Sequence, residues 1–248
     1  MSFERTALIA PLGSAGRADE IAVRISEAIQ LGLLSDGEKL PPEAQFAQQF
    51  GVSPVTLREA IATLRGRGLV ETRRGRHGGT FVRRLVDLDG APYLERLMNL
   101  SATSLRDMFD EHAAVESMAA RLAAERATQS SIRRIVTLAD QLVSSHNRNE
   151  YMKADSRFHI EVAIATRSER LTRREVSLQA EAVGLLWSAP SLLAAAPVVQ
   201  AEHAVIAACI AAEDGPGAAQ AAEDHVRDNM RRLIAVRLAP RAAEAKSA

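Results

Sequence analysis

Residues 42–84 read PEAQFAQQFGVSPVTLREAIATLRGRGLVETRRGRHGGTFVRR, and this stretch decides the fold of the amino-terminal part of the chain. It begins with a short predicted helix whose inward face carries Phe46 and Phe50, because apolar residues three or four apart share one face. A glycine-containing turn follows. Ser53 then suits a helix N-cap and Pro54 the first helical position. Two short helices separated by a tight turn are therefore predicted.

The second of these helices carries Leu57, Ile61 and Leu64 on one face. Residues 69–73 then alternate like a strand, and residues 80–84 form a second strand after a glycine-rich turn. An earlier helix is predicted from four apolar positions, which are Ile21, Ile25, Ala28 and Ile29. The order helix, helix, turn, helix, hairpin predicts a winged helix-turn-helix, in which the third helix is held where it can enter a DNA major groove.

The charge distribution supports this interpretation. The chain has 31 Lys and Arg against 31 Asp and Glu, and a net charge of zero excludes a uniformly basic protein but not a basic patch. Residues 1–84 carry a net charge of +3, and residues 58–84 alone carry +6. The remaining residues carry −3. Positive charge is thus concentrated on the predicted recognition helix and hairpin, where phosphate contacts require it.

The candidate DNA contacts lie at the start of the third helix and in the hairpin turn, the parts of a winged domain nearest to DNA. Arg58 suits a guanine edge or a phosphate, and Thr56 suits a phosphate or a thymine methyl. The alternative for Arg58 is a solvated surface arginine that pairs with a carboxylate. The alternative for the wing is a flexible charged hairpin without a DNA role. The predicted contacts are Ser53, Val55, Thr56, Arg58, Arg74, Arg76, His77, Gly78 and Gly79.

The rest of the chain has a helical pattern, so the fold class is mainly α, with a small β-hairpin wing. We expect a winged domain at 1–84, a linker at 85–91, an all-α bundle at 92–240 and a disordered tail at 241–248. The longest apolar stretch contains two prolines, and no signal pattern begins the chain. A cytoplasmic protein without membrane association is expected.

A histidine constellation marks the helical part. Asp155 and His159 are four residues apart, which puts both on one helix face. His203 is predicted to begin an apolar helix, and His225 lies on the last helix. Three imidazoles and a carboxylate suit a first-row transition metal. Spacing alone leaves open a surface ion pair and two satisfied core histidines. The solitary Cys209 excludes a cysteine-based zinc site.

Several motifs of the amino-terminal part resemble the GntR family of bacterial transcription regulators in order and spacing. They are GEKLPPE at 37–43, FGVS at 50–53, LREA at 57–60, GLV at 68–70 and GTFV at 79–82. Two positions depart from the family. Ala44 and Pro54 stand where the family usually has DNA-contacting arginines, so the resemblance implies DNA binding but not a familiar operator sequence.

The helical part is similar to the ligand-sensing FCD domain of the FadR subfamily. The resemblance rests on FDEH at 109–112 followed by Val115-Glu116, and on the spacing of the Asp and His residues that follow. It implies that Asp155, His159, His203 and His225 ligate a divalent ion. The types of these ligands do not distinguish among zinc, manganese and nickel.

The same resemblance implies a response to a small organic acid. The winged-helix order, the basic segment and the helical domain lead us to expect a homodimer that binds a two-fold symmetric operator, with repression the expected direction of control. His112 stands where the family often has an arginine, and histidine is a weaker, pH-dependent donor. We predict His112 and Arg106 as effector contacts. A half-buried structural role for His112 is equally open.

Two other interpretations use the same residues. A metal-dependent enzyme would need a general base beside the metal, and we expect Glu161, Glu202 and Glu223 to point elsewhere. A metal-free sensor would use the histidines only to line a pocket. Because the enzyme interpretation leaves the winged domain without a purpose, we expect a regulator and not an enzyme.

Overall fold

The structure is a computed structural model that describes residues 17–76, 78–83 and 90–239. Within these ranges it is mainly helical, with one two-stranded antiparallel sheet, so the predicted fold class is confirmed. The amino-terminal elements are α1 (Arg17–Gln30), α2 (Glu43–Phe50), α3 (Pro54–Gly66), β1 (Val70–Arg73) and β2 (Gly79–Val82). The remaining helices are α4 (Ala91–Asn99), α5 (Ala102–Arg126), α6 (Gln129–Ala139), α7 (Arg148–Ala165), α8 (Glu169–Leu186), α9 (Pro190–Leu193), α10 (Ala196–Ala211) and α11 (Gly215–Leu238).

The first three helices form a winged helix-turn-helix around one apolar core, and the predicted inward faces are confirmed. Each predicted apolar face is buried, including Phe46 and Phe50 of α2 and Leu57 and Leu64 of α3. Ser53 caps α3 by accepting a 3.2 Å hydrogen bond from the backbone N–H of Thr56. This cap satisfies one of the backbone donors that a helix leaves unpaired in its first turn.

The wing is broader than the sequence predicted. Strands β1 and β2 pair with Val70 opposite Val82. The segment before α2 also lies along β2, because Leu40 N donates to Thr80 O at 2.8 Å and Val82 N donates to Glu38 O at 2.9 Å. The hairpin therefore rests on a third extended segment. Residues 77 and 84–89, together with 240–248, lie outside the described residues, and the predicted linker and tail fall mostly there.

The helical part packs the two longest helices, α5 and α11, against each other, with α7 and α8 beside them. One apolar cluster surrounds Trp187 and Leu185, and a second consists largely of alanines. Within residues 90–239, five helices begin with a side chain that accepts a backbone N–H, which fixes where each helix starts. The capping residues are Ser101, Thr128, Asn147, Ser168 and Asp214.

One predicted helix start is wrong. The helix that carries His203 begins at Ala196, so His203 lies in its middle. Pro197 occupies the first turn, where its missing N–H costs nothing, so this proline is compatible with the start of the helix.

The winged domain contacts the helical domain through the end of α1 and the middle of α7. Arg157 donates a 2.9 Å hydrogen bond to Gly32 O, and Lys153 Nζ lies 3.5 Å from Asp36 Oδ2. Gly32 has φ of +70°, and a Cβ there would lie 2.8 Å from Lys153 Cγ. Glycine is thus required both by the backbone and by the close approach of α7. None of the helices in the described ranges is both long and apolar enough to cross a bilayer.

Candidate functional site

The recognition helix α3 presents the predicted side chains on its first turn. Val55 is 59% exposed and the Arg58 side chain 63% exposed. Thr56 is half-buried, and its hydroxyl lies 2.9 Å from Ser53 Oγ, so the cap and Thr56 form one polar group at the helix start. An apolar side chain and an arginine exposed side by side suit a thymine methyl and a guanine edge or phosphate.

Arg58 already has a partner within the chain. Its Nε donates a 2.8 Å hydrogen bond to Glu43 Oε2 at the start of α2, and both side chains are about half exposed. Exposed ion pairs stabilise a protein by about 0–1 kcal/mol, so this contact is weak enough to exchange for a phosphate or a base. The same ion pair is also expected if Arg58 is only a paired surface arginine with no DNA role.

The wing tip carries the other candidates. Arg74 and Arg76 are exposed, and Gly78 closes the turn by donating to Gly75 O at 2.8 Å. Gly79 has φ of +151°, and a Cβ there would lie 2.5 Å from Lys39 Cε. His77, predicted as a contact, lies outside the described residues. Two exposed arginines on a tight turn make this tip suitable for backbone phosphates.

The structure brings the four predicted metal ligands together inside the helical domain. His159, His203 and His225 each offer a ring nitrogen, and these atoms lie within 4.8 Å of one another. Asp155 Oδ1 lies 3.7 Å from His159 Nε2 and 3.5 Å from His203 Nε2. All four side chains are at least 98% buried. Helices α7, α10 and α11 therefore bring their imidazole nitrogens and one carboxylate together at a single buried site.

Three polar atoms of these residues make no hydrogen bond within the described residues, and one of them, His159 Nδ1, instead contacts Glu116 Oε1. The other two, Asp155 Oδ1 and His203 Nε2, face each other. A buried polar atom without a partner costs free energy, roughly 1–3 kcal/mol, and such atoms require an explanation. A divalent cation bound between them would satisfy both, so the residues fit a metal.

Neighbouring side chains orient these candidate ligands. Trp187 Nε1 donates to Asp155 Oδ2 at 3.2 Å, which leaves Oδ1 facing the histidines. His225 Nδ1 lies 2.8 Å from Glu202 Oε2, and Asn229 Nδ2 lies 3.0 Å from His225 Nε2. Carboxylate–histidine pairs of this kind fix the imidazole tautomer around protein metals. The expectation that Glu202 points away was wrong, because α11 packs against the side of α10 on which Glu202 lies.

Glu116 belongs to a motif of the sequence but is not among the predicted site residues. It lies on α5, and its Oε1 contacts His159 Nδ1. Burial alone would raise the pKa of Glu116, but His159, and then His112, lower it to about 2. Since Glu116 is distant from α7 in sequence, only the packing of the two helices places it there.

The electrostatics of the cluster are uneven. Burial lowers the pKa of His159, yet the carboxylates of Glu116 and Asp155 outweigh it and raise the pKa well above the usual range. Burial and the neighbouring imidazoles lower the pKa of His203 well below its usual range. A neutral His203 is ready to ligate a cation, whereas His159 would have to release its proton to one.

The two predicted effector contacts are not brought together. His112 is buried and its Nε2 lies 3.3 Å from Glu175 Oε1. Burial lowers the pKa of His112, but the charge of Glu175 reverses the effect and raises it. Arg106 is exposed and lies six residues earlier on α5, which turns it about 120° away on an ideal helix.

A cavity formed by described residues lies elsewhere, between the two domains. It measures 790 Å³ and is open to solvent. Its walls come from the end of α1 and from α6 and α7, and include Gly32, Leu33, Arg133, Arg157 and Ile160. A small cavity lies against the histidine cluster and is bordered by Asp155, Trp187, Leu192, Asn229 and Arg232.

A basic recognition helix and wing joined to a helical domain define the chain as a DNA-binding transcription regulator. Residues 17–82 match the gntR family of bacterial regulatory proteins, and residues 107–228 match the FCD domain. The chain belongs to the gntR family, and its FCD domain agrees with the FadR-type subfamily. The family and its members are regulators and not enzymes, which removes the metal-dependent enzyme interpretation.

Three relatives cover most of the chain. A protein of Mycobacterium gastri named as an HTH-type transcriptional regulator, RmpR, is 43% identical over 90% of this chain and 82% of its own. The Glc operon transcriptional activator of Escherichia coli K12 is 28% identical over 88% of this chain and 89% of its own. The galactonate operon transcriptional repressor of the same strain is 28% identical over 88% and 96%.

Proposed function

We propose that this regulator is a homodimer that binds operator DNA and whose helical domain binds a divalent metal and a small organic acid. The observation that carries the proposal is the buried cluster of Asp155, His159, His203 and His225, in which the facing atoms Asp155 Oδ1 and His203 Nε2 have no hydrogen-bond partner within the described residues. Its donor set of imidazole nitrogen and carboxylate oxygen suits zinc, manganese or nickel. When bound, the metal supplies a Lewis-acidic centre with positions open to an effector oxygen.

The DNA-binding part of the proposal rests on the first turn of α3 and the wing tip. Val55, Thr56 and Arg58 would contact base edges or phosphates, with Ser53 holding the helix start. Arg74 and Arg76 would contact the adjacent backbone, beside the wing glycines. Two copies related by a two-fold axis would present two recognition helices to a palindromic site.

The small cavity bordered by Trp187 and Arg232 measures 10 Å³, which is room for about one water. An effector that reached the metal from this side would have to move these side chains apart. Arg232 also donates to Asn229 Oδ1 at 2.7 Å and contacts Glu202 Oε1, so it lies at the edge of the cluster. A carboxylate suits this edge better than the side of His112, where Glu175 and Glu116 would repel it. His112 and Arg106 therefore remain weaker candidates for effector contacts.

Helix α7 supplies a physical route from the cluster to the DNA-binding domain. Its inward face carries Asp155 and His159, and the same helix holds Lys153 and Arg157 against the end of α1. An effector that binds more tightly in one arrangement of the two domains would shift the population toward that arrangement. The expected direction of control is repression, although relatives named as an activator and as a repressor are both similar to this chain.

Elemental analysis and thermal unfolding test the metal part of the proposal. Purified protein should contain a divalent metal, and adding the metal to chelator-treated protein should raise the melting temperature. The double variant Asp155→Asn/His159→Gln should lose both effects, whereas Glu111→Gln, an exposed carboxylate on α5, should keep them. Protein without metal, and without a thermal shift on adding zinc, manganese or nickel, would leave a metal-free sensor as the better interpretation.

A further inference from the structure

We infer that the helical domain has a second cation site, formed by His112, Glu116 and Glu175 beside the His159–His203–His225 cluster. One atom from each of these three side chains lies within 4.8 Å of the others. All three side chains are at least 98% buried. The site takes a first-row divalent cation and is separate from the metal centre proposed above.

The backbone arrangement of this second site is regular. His112 and Glu116 are four residues apart on α5, and Glu175 and Gln179 are four residues apart on α8, which packs against it. Residues at this spacing lie on one helix face, so each helix presents two polar side chains to the other. Paired ligands on facing helices are the way in which helical bundles build carboxylate metal sites.

The side chains leave several acceptors unused. Among the described residues, Glu116 Oε2, Glu175 Oε2 and Gln179 Oε1 make no hydrogen bond although each is fully buried. Glu116 Oε2 lies 3.8 Å from His112 Nε2, and Gln179 Nε2 donates to Glu175 Oε1 at 2.9 Å. Three unsatisfied oxygens around one imidazole form an electron-rich pocket for which a cation is the natural occupant.

The charge balance leads to the same conclusion. Two carboxylates share this buried space with a single imidazole, and one of them, Glu116, also contacts His159. A buried negative charge is costly unless it is neutralised. A divalent ion held between the two carboxylates and the imidazole would neutralise this charge.

The two sites differ in the ligands that they offer. The His159–His203–His225 cluster is rich in imidazole, which zinc and nickel favour, whereas the second site has one imidazole and two carboxylates, which suit manganese. Glu116 separates the sites, with Oε1 toward His159 and Oε2 toward His112. Among the described candidate ligands, Glu175 contacts only those of the second site. A substitution of Glu175 therefore leaves the ligands of the first site unchanged.

The test is a titration of chelator-treated full-length protein with Mn²⁺, followed by isothermal calorimetry and by elemental analysis after dialysis. We expect two ions per protomer for the wild type, one for Glu175→Gln and one for His203→Gln. Glu111→Gln lies next to His112 in sequence but is exposed, and this control should keep two. Circular dichroism checks that each variant is folded.

A wild type that binds a single ion, kept in Glu175→Gln and lost in His203→Gln, would overturn the second site and leave the first intact. Two ions in both the wild type and Glu175→Gln would place the second ion elsewhere and also overturn it. Should Glu175→Gln fail to fold, anomalous scattering from crystals of Mn²⁺-loaded wild type decides. It should give a peak between His112 and Glu175, and a map without that peak contradicts the inference.

Discussion

Trp187 donates its indole Nε1–H to Oδ2 of Asp155 across 3.2 Å, from the end of α8 to the middle of α7. This bond holds the carboxylate so that its other oxygen, Oδ1, faces His159 and His203. Tyr151 stacks on Trp187 with ring centroids 5.0 Å apart and keeps the indole in place. An aromatic residue thus sets the direction of the one carboxylate in the proposed metal centre.

Removing the indole N–H should weaken metal binding without removing a ligand. We expect Trp187→Phe to lower the affinity for the metal by about 10–100-fold, the usual effect of losing a group that orients a ligand. Phenylalanine keeps an aromatic ring for Tyr151 to stack on. Competition against a fluorescent chelator measures the affinity. Tyr151→Phe is the matched control and should leave it near the wild-type value; equal affinity in Trp187→Phe would count against the assigned geometry.

The winged domain was predictable because its signals are local. Phe46 and Phe50 show their inward face within one turn, and Ser53-Pro54 marks a helix start by itself. The four metal candidates were also predicted, through spacing and resemblance. Glu116 and Glu202 were not predicted as parts of the site, since each meets its partner only after helices distant in sequence have packed.

The DNA interface makes a separate prediction. Arg58→Ala should weaken operator binding by about 1–3 kcal/mol if Arg58 contacts a base, and should lower the salt dependence if it contacts a phosphate. Arg121→Ala changes an exposed arginine on α5, in the other domain, and should have no such effect. Fluorescence anisotropy at several salt concentrations separates the two contacts. Affinity unchanged at every salt concentration would leave Arg58 as the paired surface residue.

The contact between α7 and the end of α1 should carry the effector response. Arg157→Ala removes the hydrogen bond to Gly32 O and should reduce the effect of metal and effector on DNA affinity, for which a coupling of about 1–3 kcal/mol is typical. Its metal affinity should stay unchanged, because Arg157 lies on another face of α7. Arg133 lines the same interdomain cavity as Arg157, and Arg133→Ala is the control that should keep the full response. A full response in Arg157→Ala would refute this route.

Glu27 should make stability depend on pH. Burial raises its pKa from 4.5 to about 7, with Arg24 opposing and Glu181 adding to the rise. Between these two values the folded protein holds a proton that the unfolded chain releases, so stability should fall as pH rises toward 7. Glu27→Gln should therefore be more stable relative to the wild type at pH 8 than at pH 5.

Thermal unfolding of both proteins across this range measures the effect of Glu27, with Glu59→Gln, an exposed carboxylate on α3, as the control. The control should unfold in parallel with the wild type at every pH. A melting-temperature difference between Glu27→Gln and the wild type that stays constant from pH 5 to pH 8 would mean that Glu27 does not titrate in this range.

We propose that a metal-containing helical domain controls operator binding. Anisotropy of a labelled fragment of DNA from upstream of the gene tests it most directly, with protein before and after metal removal and with added small hydroxy-carboxylic acids. We predict binding at least 1,000-fold tighter than to random DNA at physiological salt, as specific regulators show, and an affinity that changes with metal and acid. Equal binding to both DNAs, or specific binding indifferent to metal and to every acid, would contradict the claim.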